Sequence, residues 1–255
     1  MKIAIAQLHT ENLDDWAYIA VENKQNYARL NNYDLVSKRG LYKTDFEQRH
    51  PSWHSVLLIL DVLETTNVDW VFWSDVDALI MDYTVKLESF IRPKYDIIIP
   101  TQGQGEYCGI KTRDCLCCGH YFIKNTDWSK KFLRKLWDWP KEEHYKYRTY
   151  SYWEQCGMND LYNKNEMNFD KHVYIEKQNR SFNSFYYMDG HEHQGMEFKE
   201  WGESFFRTRE SKKELEEDLG TAYNEGDFII HFAGKHCAPY RKSLMEEYSE
   251  KVKWN

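Results

Sequence analysis

No stretch of this 255-residue chain approaches the roughly 20 apolar residues that a membrane-crossing helix needs, and no block of lysine and arginine runs along it. The first absence excludes a transmembrane segment. The opening run Met1-Lys2-Ile3-Ala4-Ile5-Ala6-Gln7 is too short for a signal peptide, so the expectation is a cytoplasmic protein without an anchor. The second absence, with 34 Lys+Arg against 41 Asp+Glu and a net charge of −7, leaves no surface that would follow a phosphate backbone, and nucleic acid is excluded as a partner. Neither a full G-x-G-x-x-G nor a Walker lysine follows Gly103-Gln104-Gly105, so no phosphate loop stands there. Paired C-x2-C knuckles are missing too. Cys108, Cys115, Cys117 and Cys118 beside His120 therefore do not read as structural zinc, and the six cysteines are expected as free thiols. His191-Glu192-His193 lies in a charged stretch and reads as exposed. Neither repeats nor low-complexity tracts occur.

What is abundant is aromatic: 10 Trp, 19 Tyr and 13 Phe, 16% of the chain. Such rings fill cores, and their flat amphipathic faces also suit sugars. One local pattern carries more. In Val71-Phe72-Trp73-Ser74-Asp75-Val76-Asp77-Ala78-Leu79-Ile80 an apolar run breaks into two aspartates one residue apart. An extended backbone points side chains i and i+2 to one side, so Asp75 and Asp77 can converge on one hard cation, which in turn can hold a diphosphate.

Strand and helix patterns alternate along the chain, which favours an α/β layered architecture with a largely parallel sheet in one domain. Strands are expected at 2–6, Tyr33–Ser37, Asp69–Ser74, Tyr95–Pro100, Tyr121–Lys124, Val173–Ile175 and Phe228–Phe232. Helices are expected after Asp14 as N-cap up to Asn31-Asn32, after Ser52 as N-cap through Leu63, near Val85, Leu87 and Phe90, and from Asp127 to Trp139. Ser151 and Glu154 form an S-x-x-E capping box ahead of a further helix to about Lys164. The segment from Gly103 to Cys118 reads as a loop, and 189–226, rich in charge, as a lid or insertion.

Several blocks, in order, resemble glycosyltransferase family 34, which contains α-galactosyl-, α-mannosyl- and xyloglucan xylosyltransferases. Asn23-Lys24-Gln25-Asn26-Tyr27-Ala28 with Asn32-Tyr33-Asp34-Leu35 is similar to its N-K-x-x-Y-A and H-G-Y-x-L elements. Pro51-Ser52-Trp53 is similar to the entry of its next helix, and Trp70 to Met81 to its W-x-W-W-L-D-S-D-A-L-I-M block. Gly119 to Ser129 resembles G-x-F-L-I-R-N-x-x-W-S. Glu154-Gln155 resembles its D-Q pair, Asn183-Ser184 its N-S-Y element, and His231-Phe232-Ala233-Gly234 its H-F-A-G.

The resemblance implies a GT-A fold: a Rossmann-like, nucleotide-binding mixed sheet flanked by helices, with a C-terminal acceptor-side region. Residues 1–100 would form the nucleotide-sugar half and 101–255 the acceptor-side half of a single domain. It further implies a retaining transferase using Mn2+ or Mg2+, a nucleotide-sugar donor with a UDP-sugar favoured, and a glycan acceptor. Carried over residue by residue, Asp75, Asp77 and His231 would bind the metal. Gln155 and Glu154 would be catalytic, although Glu154 has a structural rival role in the capping box. Gln7, Ser74, Val76, Gly234, Lys235 and His236 would contact the donor. The chain departs from the pattern at Ser55, where a lysine is usual, at Val76 between the aspartates, at Cys117-Cys118 and at Lys235-His236. A member that binds without turnover, or a nucleotide-sugar hydrolase, are the alternative readings. The missing membrane stem points to a bacterial or viral setting rather than the Golgi.

Overall fold

Every residue of the first strand, β1 (Ile3–His9), is buried, as befits a strand covered on both faces. The computed structural model describes residues 1–44, 49–102, 105–107, 110–112, 114–139, 153–186, 222–234 and 237–254. After β1 the chain forms α1 (Asp14–Asn31), β2 (Asp34–Arg39), α2 (His54–Thr65), β3 (Trp70–Ser74), β4 (Ala78–Ile80), β5 (Ile97–Pro100), β6 (Gly105–Tyr107), β7 (Ile110–Thr112) and β8 (His120–Lys124). It continues through α3 (Asp127–Trp137), α4 (Trp153–Asn163), α5 (Phe169–His172), β9 (Val173–Glu176), β10 (Ser184–Phe185), β11 (Ile229–His231) and α6 (Arg241–Ser249).

Six strands form the large sheet in the order β2-β1-β3-β8-β5-β9. Only β8 runs against its neighbours, so the sheet is mixed by one strand. A second sheet, β10-β11-β4, continues from the end of β3, and β6 with β7 makes a short hairpin where a loop was expected.

Helix α1 shows why a polar face can be buried. Ala20, Asn23, Lys24, Tyr27, Ala28 and Asn31 recur at three- and four-residue spacing on its covered side. Asn23 there imitates a peptide group: its Nδ2 donates to Ile80 O at 3.0 Å and its Oδ1 accepts from Ile80 N at 2.8 Å. The helix thus closes the edge of β4. Helices α2, α3 and α4 supply Val56, Ile59, Phe132, Leu136 and Met158 to one apolar cluster on the large sheet, while Phe72, Phe122 and Phe182 centre another.

Several local expectations shift. Asp14 is the first helical residue rather than the cap, because Arg39 and His9 take its carboxylate. Ser52 lies inside a 3-10 turn, Pro51–Trp53, and the side chain of His50 caps it by accepting from Ser52 N. Ser151 falls outside the described residues, as do 189–221 of the expected lid. Free thiols are found at Cys115, Cys117, Cys118 and Cys237, whereas Cys156 is disulfide-bonded.

Candidate metal and donor site

The two sheets meet at Asp75-Val76-Asp77, where β3 gives way to β4. The aspartates converge through a turn, not through the pleat of one strand, and Val76 buries its side chain among Ala17, Leu79 and Ile230. On β11, His231 pairs in register with Ala78, which carries its ring to the same turn. Its Nε2 lies 3.1 Å from Asp77 Oδ1 and 3.8 Å from Asp75 Oδ2. One ligand atom from each of Asp75, Asp77 and His231 falls within 4.8 Å of the other two, the only such group of His, Cys, Asp and Glu among the described residues. Gly119 supplies the room, since a β-carbon at that position would stand 2.6 Å from Cε1 of His231.

The surroundings separate the two carboxylates electrostatically. Asp75 is raised well above the usual carboxylate range by withdrawal from water and by the charges of Asp77 and Glu154, although the Trp73 indole donates to its Oδ1 at 2.9 Å. Burial works against Asp77 as well, but the Arg241 guanidinium, 3.3 Å from Oδ2, leads the opposing contributions, and the group is held below that range. Arg241 also donates from Nε to Phe232 O and from Nη2 to Gly234 O, each at 3.1 Å, which fastens the segment after β11 to the aspartate. Beneath the turn, the wholly buried Lys24 donates to Asp75 O at 2.6 Å and to Gln7 Oε1 at 3.0 Å. Its ammonium is pushed down to about 7 by burial, against the pull of both aspartates.

These residues fit a hard divalent cation. Two carboxylates and an imidazole nitrogen supply too few ligands to saturate such an ion, which leaves positions for diphosphate oxygens. The buried Gln7 is braced beneath the turn through Lys24, and its Nε2 donates to Ser37 Oγ at 3.0 Å. Ser74 Oγ is buried without a hydrogen-bond partner among the described residues. Gln155 accepts from Cys118 N at 2.7 Å, so its amide oxygen steadies the segment leading to Gly119. Glu154 opens α4, bonds the Ser52 side chain, and keeps one buried oxygen without a partner among the described residues; burial pushes its carboxyl up to about 7. Gly234, at φ 87, presents its carbonyl to Arg241. Lys235 and His236 lie outside the described residues.

Three participants carried no role in the sequence reading: Lys24 and Asn183, quoted only inside motifs, and Arg241. Asn183 Oδ1 lies 3.0 Å from His231 Nδ1 and 2.8 Å from His120 Nδ1. Lys24 and Asn183 each sit in a local sequence motif that marks them out. Nothing local marks Arg241.

Among solved structures, a glycosyltransferase involved in glycosylation of the major capsid of PBCV-1 superposes with a TM-score of 0.64 over 96% of this chain and 100% of its own, at 14% identity. The galactosyltransferase LgtC, solved with donor and acceptor sugar analogues, gives 0.53 over 99% and 97% of the two chains at 12% identity. At such identities the likeness establishes the GT-A fold alone. By sequence, the probable alpha-1,6-mannosyltransferase MNN10 of Saccharomyces cerevisiae is 27% identical over 178 residues, 61% of this chain and 45% of that protein. Galactomannan galactosyltransferase 1 of Cyamopsis tetragonoloba is 28% identical over 117 residues, 44% of this chain and 25% of its own. The chain thus spans less than half the length of either curated relative. The profile of the galactosyl transferase GMA12/MNN10 family matches residues 3–95 and 109–243, a span that contains Asp75, Asp77, His231 and Arg241, and the chain belongs to that family of glycosyltransferases.

Proposed function

We propose that this chain is a metal-dependent, retaining glycosyltransferase that moves a sugar from a nucleoside-diphosphate donor, a UDP-sugar in first place, to a hydroxyl group of a glycan. The observation that carries the reading is the facing of His231 Nε2 and Asp77 Oδ1 across 3.1 Å beside Asp75, a donor set that a cation completes. Mn2+ or Mg2+ held by Asp75, Asp77 and His231 would supply charge neutralisation at the diphosphate. The guanidinium of Arg241 adds a fixed positive charge at the same edge.

In the transfer, the bond from the anomeric carbon to the donor phosphate breaks with its electron pair going to the phosphate, and the acceptor oxygen bonds to the same face of the sugar. The acceptor proton passes to the departing phosphate, so no separate base is required. Glu154 fits a binding role better than that of a nucleophile, since a carboxyl pushed up to about 7 is extensively protonated near neutrality. We assign it and Gln155 to orienting the donor sugar.

Calorimetric titration with UDP- and GDP-sugars, with and without Mn2+, tests the reading when donor hydrolysis is followed in the same samples. Metal-dependent binding of one donor, lost in Asp77→Ala, is the expected result. Donor affinity independent of both Mn2+ and Asp77 would overturn the metal role. Donor loss in water that no glycan acceptor accelerates would replace the transferase with a hydrolase.

A further inference from the structure

One backbone carbonyl fixes the protons on two histidine rings. Asn179 Nδ2 lies 2.9 Å from Asn183 O, which can only accept, so this end of the Asn179 amide is its NH2 group. Asn179 Oδ1 must then accept, and the atom of Asn183 that faces it at 3.0 Å is the donor Nδ2. The same Nδ2 points at Cys117 Sγ, 3.1 Å away. The remaining atom of that amide, Oδ1, therefore faces His231 Nδ1 and His120 Nδ1, at 3.0 and 2.8 Å. An amide oxygen accepts and does not donate, so both rings carry a proton on Nδ1.

We propose that Asn183 is a positioning residue that sets the tautomer of His231, so that the Nε2 lone pair faces Asp75 and Asp77. The inference rests on reading that triad as the metal seat. A neutral imidazole can ligate a metal through only one nitrogen, and the hydrogen bond made by the other decides which. Without Asn183 the His231 proton is free to move to Nε2. There it would donate to Asp77 Oδ1 at 3.1 Å, closing the ring to a cation with a hydrogen bond of its own.

His120 explains why the amide stays put. Its ring stands edge-on to His231, with centroids 5.0 Å apart, and its side chain is wholly buried. By donating its own Nδ1 proton it fills the second lone pair of Asn183 Oδ1, so that an amide flip would break bonds to His120, His231 and Asn179 together. The cost is visible on the far side of the ring: His120 Nε2 is buried without a hydrogen-bond partner among the described residues. The cross-strand neighbour of His120 in register is Ser74, whose buried Oγ also lacks a partner among the described residues. This corner gives up hydrogen bonds at two atoms while the His231 ring keeps its orientation.

The test uses the full chain and two readouts. Ring-nitrogen NMR of the metal-free protein labelled at histidine should show His231 and His120 both protonated on Nδ1. Asn183→Leu should move the His231 proton at least partly to Nε2, and titration with Mn2+ alone, followed by EPR, should weaken about 10–100-fold. A wild-type His231 protonated on Nε2 alone overturns the proposal even if the variant does not fold. So does an Asn183→Leu protein that keeps the wild-type tautomer and Mn2+ affinity. Failure of the wild-type protein to take up Mn2+ would instead remove the metal reading, while the ring protons would still decide the role of Asn183.

Discussion

A methyl group added to the α-carbon of Gly119 would stand 2.6 Å from Cε1 of His231 and 3.3 Å from Asp75 Oδ2. The backbone here has little freedom to retreat, because Gly119 O accepts from Asp75 N at 2.9 Å. Gly119→Ala must therefore push the imidazole away from the aspartates. Overpacking of this kind costs about 1–3 kcal/mol, and each 1.4 kcal/mol taken from metal binding is about a factor of ten. The expected variant folds with a lowered Tm and binds Mn2+ at least about tenfold more weakly. Wild-type Mn2+ affinity in Gly119→Ala would show that the three residues are not the metal seat.

How far the sequence reaches can be judged at this same corner. Trp70 to Trp73 is an unbroken apolar run that leads through Ser74 into carboxylates, and both the strand and the acidic pair at its end could be read from it because burial and paired charge each leave a local signature. The α1 face is likewise periodic. The small sheet is legible only in part: Ala78–Ile80 and Ser184–Phe185 are three and two residues long, too short to show a period, and are recognised only once paired, whereas Ile229–His231 lies inside the strand expected at Phe228–Phe232. Their pairing is nonetheless what brings His231 to the aspartates. Arg241 and Asp77 lie far apart in sequence, and a surface helix that opens with Arg and Lys looks like any solvated face. Asn183 belongs to a recognisable Asn-Ser pair, but its work depends on two rings contributed by β8 and β11, which no spacing rule foresees.

His54 makes stability depend on pH away from the donor site. It is 2% exposed, and its Nδ1 accepts the backbone N–H of Tyr42 at 3.1 Å, which requires an unprotonated nitrogen. Burial, with smaller contributions from the charges of Arg49 and Lys38, lowers its pKa in the folded chain. The unfolded chain, with a histidine pKa of about 6.5, then binds more protons than the folded one as the pH falls below that value. Stability contributed by the neutral ring is complete above about 6.5 and is lost on acidification down to the folded pKa. Thermal unfolding between about pH 7.5 and about pH 5 should show a smaller loss of Tm in His54→Asn, whose amide oxygen can take the Tyr42 bond without titrating. Parallel curves for the two proteins would rule His54 out as the source.

Arg241 and Asp77 yield a prediction whose two halves differ in sign. The guanidinium lies 3.3 Å from Asp77, a ligand of the proposed metal, so in the absence of donor it competes with a cation for that carboxylate. Once a nucleoside diphosphate is bound, the site holds the two aspartates and the phosphate charges together, more negative charge than one divalent ion cancels, and Arg241 becomes attractive. Arg241→Gln removes the charge while its amide can still donate to Phe232 O or Gly234 O. Mn2+ alone should then bind as well as before or more tightly, whereas UDP with Mn2+ should bind about tenfold or more weakly, the loss of one charge-assisted hydrogen bond of about 1.5–3 kcal/mol. If Arg241 only fastened the segment after β11, Tm would fall and both affinities would decline together. The opposite responses of metal and nucleotide, measured by calorimetry on one protein preparation, separate a charge that acts on the donor from a brace that holds the fold.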